Sequence, residues 1–437
     1  MPIFKLNCVN VPHLKKTEHI SPQKIPIPKS VTIPMLMHIG APAKPIVKPG
    51  DMVKVGQMIA ESGGFVSAPI HTGVSGKVKK IDNILLSSGQ TVEAVIIESD
   101  GEQSAYEEIK PPTVTNLEEF LAAIRNSGVV GLGGAGFPTE VKLAVKDLSK
   151  IETVIINGAE CEPYITSDTR TMIDDTEFVW EGIELIQKYL QVKKVIIGIE
   201  DNKPECIKAF NDLCGKSSGV EVKSLPASYP QGGEKVMIFN TIGRVVPEGK
   251  LPLDVGVVVL NCTTLAVIAK YIKTGMPLVE KCVTVDGSAV KEPQNVIVPI
   301  GTPISDVFEF CGGFAEEPRK IIFGGPMMGI SATDINAPIL KTTNAVIALS
   351  EKDAVPPKET ACIKCGRCVN SCPLNLMPYE IETAFNRKNG EMLEKLKVNI
   401  CMECGCCSYV CPAHRNLIQV HKLSKVMLKN YQETTKA

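Results

Sequence analysis

Residues 362–373 read Cys-Ile-Lys-Cys-Gly-Arg-Cys-Val-Asn-Ser-Cys-Pro, and residues 401–412 read Cys-Met-Glu-Cys-Gly-Cys-Cys-Ser-Tyr-Val-Cys-Pro. Both runs carry cysteines at a 2-2-3 spacing followed by proline, which suits a [4Fe–4S] cube. Three thiolates on one tight loop cap three irons, while the fourth, too far along its own loop, reaches the other cube. The spacing therefore groups Cys362, Cys365 and Cys368 with Cys411, and Cys401, Cys404 and Cys407 with Cys372. Zinc sites usually take two pairs of ligands, not four cysteines at this spacing twice over. Cys406 is an extra thiol outside the ligand set. Two cubes that exchange ligands lie close together, an arrangement suited to passing single electrons.

Outward from these runs the chain changes character. Residues 378–397 between them read as helix with a break at Gly390, so the cubes sit in a helical setting. After them, Lys422, Lys425 and Lys429 fall on one helical face opposite Leu417, Val420 and Met427, an amphipathic helix with a solvated basic side. Before them, residues 351–360 (EKDAVPPKET) are charged and Pro-rich and read as a linker. Residues 276–350 read as short strands with a brief helix at 307–311. In residues 111–275, Val/Ile-rich strands (153–157, 194–199, 256–261) alternate with helices (175–190, 203–213), the signature of a parallel sheet with crossover helices. Residues 33–99 are short strands between turns such as Pro49-Gly50-Asp51 and Gly63-Gly64, with strands expected at 46–48 and 91–97. Residues 1–30 are Pro-rich and should form an extended strap. The resulting divisions are 1–110, 111–275, 276–350 and 351–437.

Within the parallel-sheet region, Gly131-Leu132-Gly133-Gly134-Ala135-Gly136-Phe137-Pro138-Thr139 precedes a helix expected from about Glu140, with Lys142 in its first turn. Glycines let backbone N–H groups approach a phosphate, and a helix start adds a favourable dipole. The loop is neither a Walker loop nor a strict GxGxxG fingerprint.

The longer stretch GLGGAGFPTEVK resembles the flavin loop of the NADH-oxidising flavoprotein family of respiratory complex I. Ile156-Asn157-Gly158-Ala159-Glu160-Cys161-Glu162-Pro163, Gly232-Gly233-Glu234 and Leu260-Asn261-Cys262-Thr263-Thr264-Leu265-Ala266 resemble that family's later loops, in order. The resemblance implies non-covalent FMN with NAD(H) stacked on it. It places Gly133, Gly134, Ala135 and Gly136 against FMN phosphate or ribityl, with Lys142 neutralising phosphate. Asn157, Asn261 and Thr264 would hydrogen-bond the flavin, and Glu234 belongs to the nucleotide site. Glu160 and Glu162 would line the nicotinamide side as the catalytic carboxylates, and Phe137 would stack on the dinucleotide. The sequence departs from the family at Leu132, Ala159, Cys161 and Lys235, where that pattern has Arg, Asp, Ser and Glu.

Residues 33–100 resemble a biotinyl/lipoyl-type barrel-sandwich hybrid. The carrier hairpin there reads Glu61-Ser62-Gly63-Gly64, without lysine, so a scaffold is expected. Residues 282–312 resemble the soluble-ligand-binding β-grasp (SLBB) module that follows the flavin domain in complex I. His38 and His71 read as satisfied structural histidines.

The 437 residues are 44% hydrophobic with a formal net charge of −1, which excludes disorder over most of the length and a chain built to neutralise nucleic-acid phosphates. No apolar run reaches the roughly 18–20 residues that span a bilayer; the nearest, 255–269, is interrupted by Asn261, Thr263 and Thr264. The start, MPIFKLNCVNVPHLKK, has no secretory pattern, so the 16 cysteines are not expected to form a disulfide framework.

The order barrel-sandwich hybrid, Rossmann-like FMN/NADH domain, β-grasp and dicluster resembles the RnfC family of ion-translocating oxidoreductase components. That implies a peripheral subunit at the cytoplasmic face of a membrane complex. Its partners would be integral-membrane and ferredoxin-like iron–sulfur subunits, and indirectly ferredoxin. Its cofactors would be FMN and two [4Fe–4S] clusters, with NAD(H) as redox partner. A soluble flavin/iron–sulfur reductase like the cobalamin reductase places its barrel-sandwich domain after the clusters instead. An electron-wire scaffold without a nucleotide site is the non-enzymatic alternative.

Overall fold

The structure is a computed structural model describing residues 6–215 and 217–436. The first five residues of the expected strap lie outside the described residues.

Two small sheets form the first unit. One orders Ser30–Pro34, Thr91–Ser99, Gly76–Leu85 and Met52–Val53; the other orders Lys44–Pro45, Met58–Glu61 and Ile70–His71. Along Thr91–Ser99 Val92 and Ala94 on one face and Val95 and Ile97 on the other are all buried. The strand expected at 46–48 forms instead at Lys44–Pro45. Residues 48–51 are drawn into a turn in which the Lys48 N–H donates to the Asp51 carboxylate at 2.9 Å. In the carrier-type hairpin, a Cβ on Gly63 would lie 1.8 Å from the Pro42 carbonyl oxygen, so the backbone tolerates no side chain there.

The second unit is the expected parallel sheet, ordered Val220–Leu225, Val195–Glu200, Thr153–Gly158, Val257–Asn261. Its central strands are buried on both faces, which explains their continuous apolar runs. Helices Ser167–Asp174, Thr176–Leu190, Pro204–Cys214 and Cys262–Thr274 cover it. Successive strands step one way from Thr153–Gly158, then the chain returns to its other side. The switch therefore falls between Thr153–Gly158 and Val257–Asn261, where ligands bind in open α/β sheets. The register there sets Asn157 opposite Asn261.

The third unit is a six-stranded sheet ordered Gln23–Lys24, Gln294–Pro299, Glu280–Asp286, Ala345–Leu349, Lys320–Phe323, Ile330–Ser331. Its brief helix is Ile304–Phe310. Its first strand comes from the N-terminal strap, which thus carries more regular structure than its prolines suggest: Gln23 and Lys24 pair in parallel with Val296 and Ile297.

The fourth unit repeats its own backbone. Lys364 and Glu403, Gly366 and Gly405, and Asn375 and His414 occupy matching left-handed positions in the two cysteine runs. Helices Pro378–Asn386 and Leu417–Lys436 begin at matching distances beyond them. The linker expected at 351–360 opens with one helical turn, Glu351–Ala354. The break expected at Gly390 lies just before it: Gly390 starts the helix Gly390–Lys395, and a Cβ on it would press into the Tyr431 ring.

The strap ties the units together. Asn7 donates to the Cys372 carbonyl at 3.2 Å, and Val9 bridges Tyr229. Lys15, buried, donates to the carbonyls of Glu160 (2.9 Å), Glu162 (3.1 Å) and Ile165. Thr17 meets Thr166, and the Asn295 amide donates to the Thr17 carbonyl at 2.9 Å. Each such bond to an ammonium contributes about 1.5 kcal/mol or more, partly offset by the cost of burying the charge. Lys15→Met should therefore destabilise the parallel-sheet unit by roughly 2–4 kcal/mol in denaturant unfolding; an unchanged midpoint would show that the strap does not hold this loop.

Candidate functional site

At the switch point the glycine-rich loop lies against the end of the strand Val257–Asn261. A Cβ on Gly133 would sit 3.3 Å from the Asn261 side-chain nitrogen, and the Leu132 N–H donates to Thr264 Oγ1 at 2.9 Å. The loop closes through Gly131 N–H to the Phe137 carbonyl (2.8 Å) and Gly136 N–H to the Gly131 carbonyl (3.1 Å). Gly136 is buried against Thr342 and His38, so the first and third units brace it from behind. Gly133, Gly134 and Ala135 are exposed, Phe137 is half-buried, and Gly134 takes φ +114°. A Cβ on Gly134 would meet nothing within 4 Å. The helix expected from Glu140 is one short turn, Thr139–Leu143, because Ala144 leaves helical geometry at ψ 58°; it brings little dipole.

The residues expected to bond a flavin mostly build the cradle. Asn157 donates to the Gly232 carbonyl (2.8 Å) and accepts from the Ala159 N–H (3.1 Å). Asn261 caps the helix Cys262–Thr274 through the Thr264 N–H (3.1 Å) and donates to Asp168 (2.7 Å). Lys142 and Glu234 come together at 2.7 Å, joining the glycine loop to the 232–234 loop.

What remains for a ligand is backbone and two side-chain atoms. The N–H groups of Gly133, Gly134 and Ala135 donate to no backbone carbonyl among the described residues. Thr139 Oγ1 and Gln231 Nε2, both buried beside the loop ends, have no partner. Exposed amides on a positive-φ loop with buried orphan donors fit a phosphate-bearing planar cofactor such as FMN. Gln231, Thr139 and Asp168 are functional candidates that the sequence reading missed; none belongs to a periodic pattern.

Glu160 adopts φ +51° and its carboxylate accepts from the N–H of Asp168 (2.6 Å) and Thr169 (3.0 Å) and the Thr169 hydroxyl (2.5 Å). Burial pushes its carboxyl upward, opposed by Lys15. Glu162 reaches across to the third unit and accepts from the N–H of Met327 (3.1 Å) and Met328 (2.8 Å). Burial raises it to about 7, against the lowering effect of those amides.

The same corner touches the cysteine unit. The Tyr229 hydroxyl donates to the Cys404 carbonyl at 2.7 Å, and Gly405 packs on the Met327 carbonyl. Met402 fills the space where a Cβ on Gly233 would lie. Cys372, Cys401, Cys404 and Cys407 line one hollow here, with Cys406 buried at its edge; Cys362, Cys365, Cys368 and Cys411 line a second. Cys362 and Cys365 are exposed. No three His, Cys, Asp or Glu side chains among the described residues converge on a single-ion site. The thiols instead ring two hollows, as cubes require.

The last helix buries a different face from the one expected. Leu417, His421, Ser424 and Leu428 point inward, and Lys425 donates to the Cys401 carbonyl (2.7 Å) and Glu403 (2.6 Å). Polar His421 and Ser424 conceal that stripe from an apolar count. His38 is satisfied by its neighbours' backbone, whereas His71 Nδ1 is buried without a partner.

Family descriptions match the units in order: "RnfC Barrel sandwich hybrid domain" over residues 6–102, "Nuo51 FMN-binding domain" over 124–270, "SLBB domain" over 282–331 and "4Fe-4S dicluster domain" over 361–414. Three curated relatives, each the RnfC-type component of its complex, are similar over most of their length. The component of the proton-translocating ferredoxin:NAD(+) oxidoreductase complex of Clostridium ljungdahlii is 46% identical over 81% of this chain and 78% of its own. The counterpart from the Na(+)-translocating complex of Acetobacterium woodii is 44% identical over 86% and 85%. The counterpart from the ion-translocating oxidoreductase complex of Rhodobacter capsulatus is 38% identical over 86% and 73%.

Glu162 yields a pH test. Its folded value near 7 lies above the unfolded one, so the protonated form stabilises the fold below about pH 4.5 and that stability is lost as pH rises toward 7. Glu162→Gln should flatten stability against pH between those limits in denaturant titrations; an unaltered slope would assign the pH dependence elsewhere.

Proposed function

The chain belongs to the RnfC family of ion-translocating oxidoreductase complexes, and from that premise we propose how its four units divide the work. It is an oxidoreductase subunit that moves electrons between NAD(H) and ferredoxin within an ion-translocating complex, with FMN and two [4Fe–4S] clusters as cofactors. Other subunits of that complex are its partners.

FMN, when bound, exchanges electron pairs with NAD(H) and single electrons with iron–sulfur centres. The chain supplies position. The N–H groups of Gly133, Gly134 and Ala135 receive phosphate or ribityl oxygens, Gly136 holds the loop shut, and Lys142 balances phosphate charge. Thr139 and Gln231 offer their orphan atoms. Asn157, Asn261 and Thr264 fix the floor, with Asp168 holding the Asn261 amide. Phe137 offers a face for stacking. Glu160 and Glu162 line the nicotinamide side, and their hydrogen bonds to Asp168, Thr169, Met327 and Met328 set the wall against which the ring lies.

The ring of Cys372, Cys401, Cys404 and Cys407 holds the cluster nearer the flavin, since its loop packs on Tyr229, Gly233 and Met327. The ring of Cys362, Cys365, Cys368 and Cys411 holds the outer one. Its exposed Cys362 and Cys365 face outward, where a ferredoxin-like iron–sulfur subunit would dock. Among the described residues no helix is long and apolar enough to cross a membrane. In this reading the chain sits peripherally on integral-membrane subunits, at the cytoplasmic face.

The observation that carries the flavin assignment is the trio of N–H groups on a loop where Gly134 holds φ +114° with open space at its Cβ position. Gly134→Val strains the backbone and fills that space. It should yield protein without flavin yet with about eight irons per chain. Retained FMN by absorbance and extraction would remove the loop from the site.

A further inference from the structure

His421 lies on the helix Leu417–Lys436 and is 1% exposed. Its Nδ1 stands 3.4 Å from Cys401 Sγ and its Nε2 stands 3.3 Å from the Pro378 carbonyl oxygen. One turn further on, Lys425 holds the Cys401 carbonyl, so this helix grips a single cysteine at both sulfur and backbone. Among the described residues no side chain hydrogen-bonds a sulfur of the outer ring, although Arg415 lines its hollow. The position matching His421 in the first repeat is Glu382, ten residues past Cys372 as His421 is past Cys411. Glu382 turns away to pair with Arg415 at 2.7 Å. Among the described residues Cys362 Sγ accepts a backbone N–H, from Lys364 at 3.4 Å, and no side-chain donor.

A neutral imidazole carries one N–H, and here both ring nitrogens face acceptors. A cluster-bound thiolate is charged and a carbonyl oxygen is not, so the charge-assisted bond to sulfur is the stronger. Reduction adds negative charge to the cluster and its sulfurs, which tightens that bond and favours the reduced state.

Resting on the cluster reading above, we propose that His421 is a positioning residue that donates Nδ1–H to the Cys401 sulfur and raises the reduction potential of the inner cluster, setting the step between the two centres. Among the described residues no side chain donates in this way to an outer-ring sulfur.

The test uses the full chain, reconstituted without oxygen, with iron counted and both couples followed by EPR redox titration. Cys411→Ala, which removes an outer-ring ligand, identifies which couple is which. In His421→Leu the ratio of reduced to oxidised inner cluster at fixed potential should fall roughly tenfold, about 59 mV for a one-electron couple. The outer couple should not move. His421→Asn, whose amide N–H reproduces the Nδ1 donor, should restore most of the shift. An unmoved inner couple in His421→Leu, or equal shifts in Leu and Asn, would overturn the proposal. Where His421→Leu loses iron, the wild-type chain decides: 15N-histidine labelling should give a nitrogen coupling to the reduced inner cluster in pulsed EPR, and its absence overturns the proposal. A wild-type chain that binds no iron would overturn the cluster reading and this proposal with it.

Discussion

Buried ammonium groups on backbone carbonyls hold this chain in one arrangement. Lys15 carries the strap onto the carbonyls of Glu160, Glu162 and Ile165. Lys341, fully buried in the third unit, donates to the Pro69 carbonyl of the first and the Gly128 carbonyl of the second, both at 2.7 Å. A buried ammonium is costly unless its protons find acceptors. Each lysine reaches acceptors in other units, so separating the units would strand the charge. Burial pulls Lys341 down to about 7. The arrangement that satisfies these lysines also places the glycine loop, the Glu160–Glu162 loop and the inner cysteine ring at one corner.

At that corner the flavin-type unit and the dicluster unit, separate in sequence by the whole β-grasp unit, come into direct contact. The flavin-type loops meet the inner ring through Tyr229, Gly233 and Met327, and Glu162 reaches from one unit to the backbone of the next. The outer ring, with two of its four cysteines exposed, is turned away from that contact. Single electrons pass between centres held at fixed separation, so fixing the packing fixes the route.

Much of this was legible in the residues. The 2-2-3 spacing grouped the eight cysteines as the two hollows group them. Alternation of Val/Ile runs with helices marked the parallel sheet to within a residue or so at 153–158 and 195–200. Other features were hidden, because long-range packing decides them. The strap's strand at Gln23–Lys24 has no alternation to announce it, and its partner lies more than 270 residues away. The buried face of the last helix carries His421 and Ser424, which an apolar stripe excludes. The helix expected from Glu140 stops after one turn, where Ala144 leaves helical geometry at ψ 58°. Asn157, Asn261 and Thr264, read as flavin contacts, also hydrogen-bond within the protein, to Gly232, Ala159, Asp168 and Leu132, which their spacing did not announce.

A polypeptide joining a nucleotide-reducible flavin to paired iron–sulfur centres leaves a direct spectroscopic signature. The direct measurement is an anaerobic titration with NADH of the full chain loaded with FMN and iron, followed by flavin absorbance and low-temperature EPR. NADH should bleach the flavin while reduced-cluster signals grow in the same sample. A chain that binds both cofactors and whose flavin stays oxidised in excess NADH would contradict it.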